Sequence, residues 1–457
     1  MAERTTRELY LGEGSGTGSG SQHLYVNVGP SHPAMHGIIR IFAELDGEIM
    51  VKADVEIGYL HRAFEKECEV GPYNNAIPYT DRLNYVSPLI NNFGYASCVE
   101  KLLGIDATER CKYIRVIMSE ISRICDHLTC IGASTMELGA FTVFLYMIKA
   151  REYLWELVED VTGARLTISY ARVGGVKADL PDGFALKTRK AFKETRQVLE
   201  EVHKLLTGNR IFMDRMVGVG ALSREETIAY AITGPLLRAA GVPYDVRRAQ
   251  PYWAYDRVEF EIPTGRNGDN YDRYLVRMAE MEQSMRIVEQ ALDEMPGGPI
   301  NVDVRGRPID PATYVDLGKQ GKTEGLLLVP LTLSPNLAGL EKPVHRAVNV
   351  ADKRVVLPPK EDTYGSIEGL MNHFMLIMEG NGIRPPLGEA YLPVEGANGE
   401  LGFYIVSDGT DRPYRVRCRP PCFPPMAALH RMIEGGMVAD VVPTFGSINM
   451  IGGELDR

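Results

Sequence analysis

The chain has 457 residues, 45% of them hydrophobic and 24% charged, a balance that supports a packed core and excludes a disordered or collagen-like polymer. Its 50 Lys+Arg against 60 Asp+Glu leave a net charge of −10, and with no basic stripe a nucleic-acid partner is not expected. The seven cysteines are odd in number and scattered, which argues against a disulfide framework and for a reducing compartment.

Residues 11–22, LGEGSGTGSGSQ, alternate glycine with small polar residues. No strand precedes them and no helix follows, as a nucleotide-binding glycine loop would require, so residues 1–22 are expected to form a flexible arm. A β pattern comes next. Leu24, Val26 and Val28 alternate with His23, Tyr25 and Asn27; Ile39, Ile41, Ala43 and Leu45 share one face, and Val51, Ala53, Val55 and Ile57 one face of the following run. Asp46-Gly47 between the last two runs is a hairpin signal, so a small antiparallel sheet is predicted near the N-terminus. Residues 23–94 are read as this sheet with the loops that follow it.

From about residue 95 the pattern turns helical. Ile114, Ile117, Ile121, Ile124 and Leu128 recur at spacings of three and four, which marks a buried stripe. Residues 137–161 are predicted to form a second long helix, apolar nearly all round at its start and therefore central to a bundle. Helices are also predicted at 184–206, at 270–294 with Asp269 as cap, and at 364–379 opening near Ser366. The span 95–300 is thus a helical-bundle core. Residues 301–358, with GLLLVPLTL, lack periodicity and read as an insertion. Residues 359–457 complete the fold, with strand-like runs at 402–406 and 414–418 joined through SDGTDRP as a hairpin. The fold class is α+β: a mainly helical bundle, a small N-terminal antiparallel sheet and a C-terminal hairpin.

The longest apolar stretch, Leu138 to Ile148, is about half the ~20 residues needed to span a bilayer. The opening MAERTTRELYLG lacks the features of a secretion signal, so a cytosolic location is expected. His32 and His36 form HPAMH, but Pro33 and Gly37 disfavour a helix there and no glutamate separates the histidines, which argues against a zinc site. No CxxC occurs, so no iron–sulfur cluster bound by this chain alone is expected. Neither a nucleophile elbow nor a P-loop is present. What remains is a set of polar loop residues: His32 and His36, His61 and Arg62, and PYTDRLNYVS at 78–87. Such loops beside a bundle suit a small polar headgroup better than a polar polymer. The same residue types also serve to satisfy buried backbone groups, and the pattern alone does not choose between the two uses.

GPSHPAMHG (29–37), GYLHRAFEK (58–66), PYTDRLNYVS, VEKLLGI, ELGAFTVFLY (137–146) and YDRVEFEIPTG (255–265) follow one another along the chain. They are succeeded by GDNYDRYLVRMAEMEQSMRI (268–287), SDGTDRPYRVRCRPP (407–421) and the terminal ADVVPTFGSINMIGGELDR. In this order the motifs strongly resemble the 49-kDa (D-type) subunit of respiratory complex I, NADH:quinone oxidoreductase, over roughly residues 23–300 and 360–457. That family is related to nickel–iron hydrogenase large subunits, which implies a hydrogenase large-subunit-like fold. Hydrogenases hold nickel with two CxxC pairs. This chain has PYTDRLNYVS and FGSINMIGGELDR in their places, so the resemblance implies a quinone headgroup in the vacated cavity and no metal.

The resemblance implies further roles. Quinone is the substrate, and electrons arrive from a terminal [4Fe–4S] cluster held by a partner, the iron–sulfur (B-type) subunit of complex I. The 30-kDa (C-type) subunit and the H-type membrane subunit are further implied partners, with the chain peripheral on the cytoplasmic side of the inner membrane. His36 and Tyr85 map onto the family's headgroup ligands, and imidazole and phenol can both donate hydrogen bonds to quinone carbonyls. Glu137, at the start of the LGA helix, stands where the family usually has an aspartate that orients the loop histidine. Arg62 matches an arginine near the partner's cluster, and Thr167 aligns with a family histidine tied to the pH dependence of that cluster's potential. Two functions are carried forward: quinone-site subunit of a proton-translocating NADH:quinone oxidoreductase, and non-catalytic scaffold of a related membrane-bound hydrogenase-like or other-donor complex.

Overall fold

A computed structural model of the chain describes residues 23–302, 355–358, 360–378 and 380–457. The predicted arm at 1–22 and most of the predicted insertion, including GLLLVPLTL, lie outside the described residues.

The N-terminal sheet forms as the alternation predicts. Strands β1 (Leu24–Val28), β2 (Arg40–Asp46) and β3 (Ile49–Glu56) pair antiparallel in the order β1-β2-β3. Ile39, Ile41, Ala43 and Leu45 are all buried. The predicted face of β3 needs one correction. Ala43 pairs with Ala53 and Leu45 with Met50, so an extra residue bulges out of β3. A bulge inverts the alternation beyond it: Val51 is 43% exposed and Met50 takes the inward position.

Short helix α1 (Phe64–Val70) leads to α2 (Pro88–Leu103), so the long helices begin at Pro88 rather than near 95. Helix α3 (Glu109–Glu137) is the axis of the molecule. Its stripe of Ile114, Ile117, Ile121, Ile124 and Leu128 is fully buried. Thr108 caps it, the side chain accepting from Cys111 N–H, which satisfies one of the otherwise orphaned first-turn donors.

The next helix departs from prediction. Helix α4 starts at Phe141 and ends at Thr162, and Glu137 is the last residue of α3, not the first of a new helix. Nor is the start of α4 buried all round. Phe141 is 57% and Leu145 50% exposed, while Val143 between them enters the core with the later Met147, Leu154 and Val158. An apolar run all round a helix reads as burial on every side, yet here one face is left uncovered by the described residues.

A two-residue ladder, β4 (Ala171–Arg172) with β5 (Gly175–Val176), precedes α5 (Phe184–Val202), which continues as a wider π turn through Thr207. Helix α6 (Asn270–Glu294) runs against α3, capped by Asp269 as predicted. Helix α7 (Ile367–Ile377) opens at its cap Ser366. The predicted C-terminal hairpin forms and gains a strand: β6 (Gly388–Glu395) pairs with β7 (Glu400–Ser407), which pairs antiparallel with β8 (Arg415–Arg419), in the order β6-β7-β8. The α+β class holds, with helices dominating and small antiparallel sheets near both ends. Helix α8 (Val438–Ile448) and the last turn α9 (Gly452–Asp456) then return to α3 and the N-terminal loops.

The bundle interior is not purely apolar. Glu120 is fully buried and accepts from Arg123, Arg247, Tyr255 and Ser284. Burial alone would raise its pKa, but Arg123 and Arg247 hold it down to about 2. Arg238 in turn donates to Glu280 and Glu395. Buried charges persist only when paired in this way, and the network ties α3 and α6 to β6.

Candidate functional site

The site is built where the C-terminal segment passes between two N-terminal loops. His32 caps a one-turn helix at Pro33–Met35, its Nδ1 accepting from Ala34 N–H, and His36 ends that turn in the left-handed conformation at φ 54°. The two histidines are thus not ligands on one helical face. His32 is committed to the turn, while the His36 side chain is 53% exposed and points to Glu137.

His36 Nε2 lies 3.6 Å from Glu137 Oε1, ion-pair range just beyond a hydrogen bond. The His36 ring also faces Phe445 of α8, with centroids 6.4 Å apart. Burial pushes the Glu137 carboxyl up to about 7 and the His36 imidazole below its ordinary value. Each is therefore drawn toward its neutral form, and the Glu137 carboxyl is the one that holds or releases a proton near neutrality. Glu137 Oε2 is buried with no hydrogen-bond partner. Helix α8 leaves room for it through Gly446, where a Cβ would fall 3.0 Å from Oε2 and 3.1 Å from Ser134 Cβ.

Tyr85 sits at the tip of the second loop, its side chain 41% exposed. Asn84 Oδ1 accepts from the N–H groups of Val86 and Ser87, both at 3.1 Å, an Asx-type turn that fixes the backbone either side of the tyrosine. Burial raises the phenol above its ordinary pKa, and the nearby Arg62 partly opposes this. The hydroxyl therefore stays protonated and serves as a donor.

Arg62 is exposed, and its Nη2 donates to Arg82 O at 2.7 Å and to Gly453 O at 3.4 Å. It therefore pins the Tyr85 loop to the C-terminal turn. Gly453 is required there, because a Cβ would sit 2.3 Å from Arg82 O and 2.7 Å from Arg62 Nη2. Its neighbour Gly452 lies against Ile38, two residues beyond His36. Thr167 is exposed with φ 48°, strained for a β-branched residue. Its loop is fastened to the same region by Ser169, whose N–H and hydroxyl donate to Asp81 at 2.9 and 2.7 Å.

The structure therefore joins His36 directly to Glu137, and joins Arg62 and the Thr167 loop to the segment carrying Tyr85. Sequence reasoning missed the buried polar residues behind these loops. Asp126 accepts from Asn84, Ser87 and Asn449. Glu454 is 1% exposed, with its pKa raised to about 8 by burial and by the Asp126 charge. Its Oε1 accepts from Cys422 N–H at 3.3 Å. The stripe gave no signal for Asp126, which lies about 160° around the helix from it, on a face where a carboxylate reads as exposed; only the fold shows it buried.

The family profile described as "Respiratory-chain NADH dehydrogenase, 49 Kd subunit" matches residues 137–320 and 338–457. The chain belongs to the 49-kDa subunit family of respiratory-chain NADH dehydrogenase. It is 50% identical over 438 residues to a D-type subunit of the NADH-quinone oxidoreductase of Sorangium cellulosum, covering 96% of each chain. It is 48% identical over 437 residues to the D-type subunit of the Myxococcus xanthus enzyme, covering 96% of this chain and 93% of that one. A relative in Bdellovibrio bacteriovorus, a joined C/D-type subunit of NADH-quinone oxidoreductase, is 45% identical over 436 residues, 95% of this chain and 69% of the longer one. The protein is thus a subunit of an oxidoreductase complex, complex I. No helix among the described residues is long and apolar enough to cross a membrane. No group of three or more His, Cys, Asp or Glu side chains placed to hold a metal occurs among the described residues.

Proposed function

We propose that this subunit forms the quinone-headgroup pocket of a proton-translocating NADH:quinone oxidoreductase, with His36 and Tyr85 as the headgroup ligands and Glu137 orienting His36. The observation that carries the reading is the pairing of a half-exposed imidazole with a carboxyl raised to about 7, 3.6 Å away. Reduction of a quinone to a quinol takes two electrons and two protons. A [4Fe–4S] cluster held by the adjoining iron–sulfur subunit would supply the electrons. Tyr85 donates a hydrogen bond to one carbonyl oxygen and polarises it. His36, as the imidazolium, donates to the other and gives it one proton, and the second follows through the same half-exposed ring once it has been reprotonated from solvent. Ionised Glu137, 3.6 Å away, stabilises that imidazolium against the burial that lowers the His36 pKa. Arg62 and Thr167 lie at the cluster-facing edge.

The 30-kDa subunit, the H-type membrane subunit and the iron–sulfur subunit are the proposed neighbours, with this chain peripheral on the cytoplasmic side of the inner membrane. The joined C/D-type relative supports the first. The exposed Phe141 and Leu145 supply apolar surface for a partner to cover.

The test is His36→Ala and Tyr85→Phe in the purified complex. Both should depress quinone reduction while reduction of artificial acceptors upstream persists. Equal loss of both activities would make the residues structural. Photoaffinity labelling by a quinone analogue confined to other subunits would favour a scaffold role instead.

A further inference from the structure

We propose that Asp126 is the positioning residue of the Tyr85 loop, so that one helix, α3, sets both headgroup ligands. The inference rests on Tyr85 being such a ligand. Asp126 is completely buried. Its Oδ2 accepts from Asn84 Nδ2 at 2.9 Å and from Ser87 Oγ at 2.6 Å, and its Oδ1 accepts from Asn449 Nδ2 at 2.7 Å. Asn84 and Ser87 bracket Tyr85, and the Asn84 amide oxygen holds the two backbone N–H groups that follow the tyrosine. The exposed phenol is therefore mounted on a turn whose two ends are both fastened to one carboxylate.

Three donors converge on Asp126 from two segments far apart in the chain, and only a carboxylate accepts from all of them. An amide at this position would turn a donor toward one of them. Asn449 cannot yield easily, because its Nδ2 also donates to Asn398 Oδ1. Position 126 also has the right phase. Eleven residues separate it from Glu137, which on an α-helix is three turns and about 20° of rotation, roughly 16 Å along one face. At one height α3 presents the carboxylate that mounts Tyr85. At its last residue it presents the carboxylate beside His36.

Asp126→Asn, read on the assembled complex, should lower kcat/KM for quinone about tenfold, chiefly through KM, the scale of losing one charge-assisted hydrogen bond. In a Tyr85→Phe background the same change should cost less than about twofold, because residues that act as a unit are not additive. The double change Asp126→Asn with Asn449→Asp moves the charge across the contact and keeps a donor facing an acceptor there, with the Asn398 amide turning over to donate to the new carboxylate, so it should recover activity to within about threefold of wild type. Full additivity with Tyr85→Phe, or a silent Asp126→Asn, overturns the proposal. If Asp126→Asn prevents assembly, Ser87→Ala removes one of the donors and must show the same non-additivity with Tyr85→Phe. Should Tyr85→Phe itself leave quinone reduction intact, the headgroup reading fails, and that result is separate from any of these.

Discussion

Replacing Glu137 with glutamine removes a charge and keeps the shape. At 3.6 Å from His36 Nε2, Coulomb's law with an effective dielectric of about 20 gives a ceiling of ~4.6 kcal/mol for the ionised pair. The His36 side chain is 53% exposed, and solvent screening reduces this toward the ~1 kcal/mol of an exposed pair. A working value of ~1.4 kcal/mol corresponds to a factor of about ten in rate. Burial places the Glu137 carboxyl at about 7, so roughly one-tenth of it is ionised at pH 6 and roughly nine-tenths at pH 8. Wild-type quinone turnover should therefore carry a component that rises with pH through about 7. Glu137→Gln should lack that component and fall to about a tenth of wild type at pH 8, while differing little at pH 6. The assay is quinone reduction by the purified complex across about pH 5.5–8.5, normalised to upstream acceptor reduction at each pH. A Gln variant whose profile keeps the wild-type shape would refute the reasoning, because the titrating group would then lie elsewhere.

Other outcomes follow from the same geometry. Gly446→Ala places a methyl 3.0 Å from Glu137 Oε2 and 3.1 Å from Ser134 Cβ, an overpacking cost of ~1–3 kcal/mol; the melting temperature of the chain and quinone turnover should both fall. Glu454 has a folded-state pKa of about 8 against an ordinary 4.5, so its stabilising contribution is complete below about pH 4.5 and is lost progressively as pH rises to about 8. Wild type should lose ~2–3 kcal/mol between about pH 6 and 8 by this route, and Glu454→Gln should flatten that part of a pH series of melting curves. Glu280→Ala strips a carboxylate from fully buried Arg238 and from His127, and should cost ~3–5 kcal/mol in denaturant unfolding. The partner cluster should show a nearly flat potential between about pH 6 and 8, since Thr167 cannot titrate. Thr167→His, at a left-handed position that histidine tolerates, should introduce a slope toward about 59 mV per pH unit in EPR-monitored redox titrations.

The sequence determined what repeats locally. The stripe on α3 predicted a buried helix because its spacing alone puts Ile114, Ile117, Ile121, Ile124 and Leu128 on one side, and all five are buried. Caps at Asp269 and Ser366 were legible because an Ncap side chain bonds backbone within the next few residues. The strands of the first sheet were legible for the same reason, as was family membership, since several long motifs keep their order. Only the tertiary structure decided the rest. The bulge that exposes Val51 depends on how β3 registers against β2, a relation between strands that no single strand encodes. The end of α3 at Glu137 and the partly uncovered start of α4 depend on what packs, or fails to pack, around an apolar run whose composition is equally suited to either fate. Tyr85 could be singled out as a candidate from its motif. Its mounting could not, because Asn84, Asp126 and Asn449 lie far apart along the chain and meet only when α8 and the C-terminal turn come back against α3.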